Sequence, residues 1–147
     1  MENSLNPQII EGQPVNLKEH YSRCKDIEAN LLYYKDDLQS LKNILDTNFD
    51  DLVKNENLDE LRESTMALQD LSYDNNRLLK QVKILKTKLL EAIKGLSKNN
   101  VFELLNEKSK LEKKSKKFSA NYKIIKKELF SLVDDVLQFK NRMEKSI

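Results

Sequence analysis

The feature that most constrains this chain is a heptad repeat between Leu61 and Leu96. Six residues, most of them apolar, are spaced seven positions apart. A second set of five residues is found, each three positions after one of the first five. The first set is Leu61, Leu68, Asn75, Val82, Leu89 and Leu96, and the second is Ser64, Leu71, Leu78, Leu85 and Ala92. A pattern sustained over five heptads is typical of a helix that packs along a coiled-coil seam. Asn75 is the polar residue at an interior seam position, a type that fixes register and partner number at some cost in stability.

A second heptad run lies upstream. Its two sets are Leu17, Cys24, Leu31, Leu38, Leu45 and Leu52, and His20, Ile27, Tyr34, Leu41 and Asn48. Asn16 precedes this run and Glu19 follows three residues later, which is an N-cap pattern. The same Asn-x-x-Glu spacing recurs at Asn57 and Asn100, each just before an apolar run, and it predicts further helix starts there. The helical segments predicted in this way are 16–54, 57–97 and 100–147, with Gly95 and residues 97–100 as the stop between the second and the third.

The third segment has a weak first half and an unusually apolar second half. Lys108 and Ser115 occupy its seam early, whereas the stretch from Tyr122 to Phe139 is apolar over a face wider than a narrow seam. Such a face must be covered, and we predict that it docks another subunit. The alternative is that the other helices of the same chain bury it in a bundle. The residues assigned to docking are Tyr122, Ile125, Leu129, Leu132, Val136 and Phe139.

These patterns predict an all-α protein of three long helical segments that form coiled coils or a helical hairpin, elongated rather than globular. Two glycines, two prolines and 34% charged residues fit long helices better than a compact mixed fold. Residues 1–15 hold both prolines and no apolar period, so we predict a flexible tail. Leu61 follows Leu52 by nine positions, which breaks the heptad phase and predicts a loop or sharp bend at residues 55–57. The pattern leaves open whether the chain folds back there, and whether the helices pair in parallel or antiparallel.

The charges of the chain are segregated. Residues 1–74 carry 7 basic and 16 acidic residues, a net charge of −9, whereas residues 75–147 carry 19 basic and 8 acidic residues, a net charge of +11. This split suits either pairing of an acidic helix with a basic one or an acidic partner at the carboxyl half. The densest basic run is Lys108, Lys110, Lys113, Lys114, Lys116 and Lys117. It is interpreted mainly as the solvated face of a coiled coil, with sequence-independent contact to nucleic acid as the alternative.

The sequence offers little for catalysis or metal binding. His20 and Cys24 are four residues apart and share a helix face, but the chain has no other Cys or His to complete a zinc site. Both occupy seam positions, so interior packing is the preferred interpretation. The two glycines are far apart and form no phosphate loop. We therefore expect no catalytic, cofactor-binding or metal-binding residues, and no enzyme.

In overall architecture the chain resembles the short, all-helical subunits of eukaryotic scaffolds such as kinetochores, spindle poles and vesicle tethers. This likeness implies a non-enzymatic scaffold subunit that binds protein partners through coiled coils, with a heteromer favoured over a homo-oligomer. Chromosome segregation at the kinetochore is the favoured setting, because the lysine-rich half suits an acidic neighbour. The alternatives are an adaptor or tether in vesicle trafficking or autophagy, and a nucleic-acid-binding protein. A lone cysteine and the absence of long apolar stretches predict an intracellular protein without a membrane span, in the nucleus by preference or in the cytoplasm.

Overall fold

The all-α prediction is confirmed by a computed structural model, which describes residues 16–54, 58–96 and 100–145. Within the last helix, the side chains at positions 136, 137, 139–141 and 143–145 are outside the description. Of the described residues, 95% are helical, and the long helices pack on one another as a bundle, α1 on α3 and α3 on α4. The helices are α1 (Leu17–Thr47), α2 (Phe49–Lys54), α3 (Leu58–Ile93) and α4 (Val101–Lys145). The predicted tail (1–15) and the predicted bend at residues 55–57 both lie outside the described residues.

Asparagine side chains cap the amino ends of α1 and α4. The Glu19 amide donates a hydrogen bond to Asn16 Oδ1 at 3.1 Å, and the Phe102 amide donates one to Asn100 Oδ1 at 2.8 Å. Each bond satisfies an amide that has no partner within the helix. The Asn-x-x-Glu spacing therefore marks the start of both helices, whereas Asn57 falls outside the described residues.

Two local features divide the predicted segments. Asn48 lies between α1 and α2, where its Nδ2 donates a hydrogen bond to the Ile44 carbonyl at 2.8 Å. Gly95 ends α3 with a φ of 72°. The Gly95 amide bonds the Ala92 carbonyl at 3.1 Å, and the Leu96 amide bonds the Glu91 carbonyl at 2.9 Å. This pair of bonds is the Schellman arrangement, in which a glycine in the left-handed region closes a helix.

The helix stop corrects one predicted seam residue. Leu96 lies past the end of α3 and is 71% exposed, because the chain has left the helix before reaching it. Leu17, at the start of the first run, is half-buried. In the first set of each run, the buried positions are Cys24, Leu31, Leu38, Leu45, Leu52, Leu61, Leu68, Asn75, Val82 and Leu89.

The described chain divides into two compact units, and each unit takes a part of α1, α3 and α4. The first unit comprises the described residues of Met1–Tyr33 and Asn76–Lys117. The second unit comprises those of Tyr34–Asn75 and Phe118–Ile147, and it also includes α2.

In the first unit an ion pair joins α1 to α3. Lys86 Nζ lies 2.6 Å from Glu28 Oε1, and both side chains are largely buried. The hydrogen bond to Glu28 raises the pKa of Lys86, because it favours the charged form. Lys86 Nζ also lies 5.8 Å from the centre of the Tyr21 ring, within cation–π range.

In the second unit an aromatic cluster joins α1 to α4. Tyr34 packs on Phe118 and Tyr122, with ring centres 5.8 and 4.5 Å away, and its hydroxyl lies 2.7 Å from Ser119 Oγ. One turn further along α1, Asp37 accepts a hydrogen bond from the Tyr122 hydroxyl and lies 2.9 Å from Lys126 Nζ. Contacts advance along both helices together, so α1 and α4 run in the same direction in this unit.

Candidate interaction surfaces

The interior of the first unit contains a buried lysine. Lys108 is fully buried, and its Nζ lies 2.8 Å from Glu112 Oε1 on the next turn of α4. This finding corrects the predicted basic patch, because Lys108 belongs to the interior and the carboxylate of Glu112 compensates its charge. The remaining members of the patch, Lys110, Lys113, Lys114, Lys116 and Lys117, are exposed and are called the lysine strip below.

His20 and Cys24 lie in the same interior. His20 is 6% exposed and Cys24 is fully buried. Burial lowers the pKa of His20, and the positive charge of Lys108 lowers it further. Burial raises the pKa of the Cys24 thiol to about 11. Both groups are therefore held neutral at physiological pH, and a neutral thiol is a poor nucleophile and a poor metal ligand.

The part of the chain that the structure describes contains no group of side chains arranged to bind a metal ion. Among these residues, no three His, Cys, Asp or Glu side chains converge on a point where they could hold an ion. The described helices also include none that is long and apolar enough to cross a membrane.

The predicted docking segment is divided by the structure. Tyr122, Leu129 and Leu132 are buried, and Ile125 is half-buried. Tyr122 is covered from within the chain, by the contacts of Tyr34 and Asp37 already described. Val136 and Phe139 belong to α4, but their side chains are outside the description.

The outer edge of the same segment is exposed. Ile124 is 57% exposed and Phe130 is 38% exposed. Lys126 Nζ lies 5.8 Å from the centre of the Phe130 ring and covers it in part. Two apolar side chains of α4 in the second unit therefore remain exposed, one on each side of the buried face. We call Ile124 and Phe130 the outer edge of α4.

A groove opens between α3 and α4 of the second unit. It encloses about 630 Å³. Its floor is formed by small or apolar side chains, and its rim carries four carboxylates and one lysine. The floor residues, which are buried or half-buried, are Ser64, Ala67, Ile125 and Leu132, and the exposed rim residues are Glu60, Glu63, Lys127, Glu128, Ser131 and Asp135. This set is called the acidic groove below.

The acidic groove exists because the side chains of α3 that line it are small. Ser64 occupies a heptad position that is leucine in the next three repeats, at Leu71, Leu78 and Leu85. With Ala67 beside it, the helix presents too little side-chain volume to fill the space opposite Ile125 and Leu132. Sequence reasoning missed this groove, although a serine within a leucine series was a visible signal.

The first unit has a smaller groove, of about 230 Å³. Ile84, which is 57% exposed, lies on its wall, and two members of the lysine strip, Lys110 and Lys114, lie opposite. The two units thus present grooves of opposite charge. The residues lining the smaller groove are Gln81, Ile84, Leu85, Glu107, Lys110, Leu111 and Lys114.

Comparisons of the chain with protein-family models, curated proteins and solved structures found no match.

Proposed function

We propose that this chain is a non-catalytic helical subunit that binds protein partners through the outer surfaces of its bundle. The observation that carries the proposal is the outer edge of α4, where Ile124 and Phe130 remain exposed beside residues that the chain buries itself. These two side chains flank the buried face of α4 on opposite sides, so a partner that packs against either flank covers one of them. Within this class, a scaffold subunit for chromosome segregation stays our preferred setting, on the strength of the lysine-rich half. A trafficking or autophagy adaptor is the alternative.

The test is a quantitative affinity purification of tagged protein from its native cells. Ile124→Gln/Phe130→Gln removes the apolar edge while keeping helix-forming residues. The matched control is Met66→Gln/Tyr73→Gln, which removes two exposed apolar side chains from α3 in the same unit. We expect specific partners to be lost from the first variant and retained by the second. An unchanged set of partners in both variants would contradict the proposal.

A second candidate function is sequence-independent binding of nucleic acid by the lysine strip. Its support is that five lysines of one helix are exposed together. Phosphate contacts of this kind weaken steeply with salt. Lys113→Glu/Lys117→Glu should then abolish binding to duplex DNA at low salt, whereas wild-type binding without salt dependence would exclude the strip as a phosphate-binding surface.

A further inference from the structure

The acidic groove combines a shape and a charge that together specify an occupant. Its rim holds Glu60, Glu63, Glu128 and Asp135 against the single cation of Lys127. Four carboxylates and one lysine give the rim a net charge of −3, which attracts a cationic ligand. The floor, with Ile125 and Leu132, offers apolar surface that a simple ion cannot cover.

The dimensions of the groove match a helix. Its lining runs along α4 from Ile125 to Asp135, which is about 15 Å at roughly 1.5 Å per residue. An amphipathic helix places side chains at i, i+4 and i+7 over about 10.5 Å of its length, so three anchors fit along the floor. A helix in this position would pack on α3 and α4 as an additional member of the bundle.

We propose that the acidic groove binds a basic amphipathic helix of a partner protein, with apolar anchors on the floor and Lys or Arg side chains paired with the rim. The proposal rests on the proposed interaction function, and Ile124 lies one turn before Glu128 on the same face of α4. Neither Ile124 nor Phe130 lines the groove, so variants of its rim and floor leave the outer edge of α4 unchanged and the two tests can fail separately.

A second copy of this chain is a poorer occupant. Its lysine strip supplies positive charge, but the apolar residues within and directly after that strip, Leu111 and Phe118, are buried. The lysine strip of a copy would thus offer lysines to the rim with no exposed apolar residue among them on α4, since the exposed Ile84 lies on α3 across the smaller groove. The occupant that satisfies both parts of the groove is a helix with an apolar stripe flanked by basic residues.

The test uses the purified full chain and a synthetic, fluorescently labelled helix of about 18 residues, which is five turns. Leucines at i, i+4 and i+7 supply its stripe, and lysines flank them. The comparison peptide has glutamate in place of every lysine. Binding is measured by fluorescence anisotropy at low and high salt, and sedimentation is measured in parallel.

Two variants test the two parts of the groove. Glu63→Lys/Glu128→Lys reverses the rim charge at two exposed positions, and Ala67→Leu fills the floor. The matched control, Asp36→Lys/Glu91→Lys, makes the same change in net charge at exposed positions that line neither groove. Circular dichroism establishes that each variant is folded.

We expect the basic peptide to bind the wild-type chain and the control alike, with an affinity that falls as salt rises. Rim reversal should weaken binding roughly tenfold or more, because exposed ion pairs are lost and like charges replace them. Ala67→Leu should also weaken binding. The proposal is overturned if both peptides bind equally, if the rim and floor variants bind as the wild type does, or if those variants change the oligomeric state, since a second copy would then occupy the groove.

Discussion

His20 places an ionisable ring in the interior of the first unit, and its environment opposes protonation. Burial is the main cause of its lowered pKa, followed by the positive charges of Lys108 and Arg23, while Glu19 and Glu112 act weakly in the opposite sense. The unfolded chain accordingly binds a proton near the ordinary histidine pKa of about 6.5, where the folded chain does not. Stability is fully present above that value and is lost as the pH falls below it.

We predict that the free energy of unfolding falls between about pH 7.5 and about pH 5.5, and that His20→Leu removes most of this fall. Because His20 is the only histidine in the chain, the comparison isolates one group. Urea denaturation at several pH values measures it. If the wild type and His20→Leu lose stability in parallel over this range, the imidazole is not the titrating group.

Lys108 shows how far a single residue is predictable. Its heptad position predicted the seam, whereas its neighbours in sequence predicted a basic surface, and the structure places it inside. The pattern alone could not decide, because a lysine at a seam position is tolerated only when a carboxylate compensates it. Glu112 meets that condition from the next turn. Removing one partner of such a pair is costlier than replacing both, since it leaves a buried charge.

Two of the three predicted helix starts have the N-cap hydrogen bond that the sequence pattern implies. Asn16 and Asn100 each accept a hydrogen bond from an amide of the first turn. The helix stop predicted at Gly95 also has its mechanism in the structure, in the left-handed backbone of that residue. The heptad pattern nevertheless extended the seam one residue too far, to Leu96, because a count of seven carries no information on backbone conformation.

Gly95 gives a test of that helix end. A methyl group added there would meet nothing within 4 Å, so Gly95→Ala creates no clash. The cost is conformational, because the φ of 72° disfavours any residue with a Cβ, by about 1–2 kcal/mol. We predict a loss of stability of that size, measured by urea denaturation. A neutral or stabilising substitution would contradict the Schellman closure of α3.

The acidic groove was unpredictable for a related reason. The heptad pattern identifies Ser64 as a seam residue but does not say which residues of another helix lie opposite. Only the packing of α3 on α4 reveals that Ser64 and Ala67 leave space beside Ile125. The docking residues on α4 were similarly identified as one apolar face, and the division of that face between interior and surface depends on which helix covers it.

The apolar residues of α4 in the second unit fall into two groups. The buried ones stabilise the fold of the chain itself, whereas we propose that the exposed ones bind partners. Leu132 is 5% exposed, whereas Ile124, on the same helix and in the same unit, is 57% exposed. Leu132→Ala should cost about 2–5 kcal/mol of stability, because it leaves a cavity in the interior. Ile124→Ala should change stability by no more than about 0.5 kcal/mol, because it removes side-chain surface that water already reaches.

This pair of variants forms the matched experiment. Urea denaturation of the isolated chain gives the two changes in stability, and partner capture at a temperature where both variants are folded gives the two changes in binding. Leu132→Ala should lose stability and keep the partners that bind the outer edge of α4, while Ile124→Ala should keep its stability and lose those partners. If Leu132→Ala is as stable as the wild type in the isolated chain, or if its unfolding midpoint rises with protein concentration, a second chain covers this face. The apolar stretch of α4 would then belong to an interface along its whole width, as the sequence pattern first suggested.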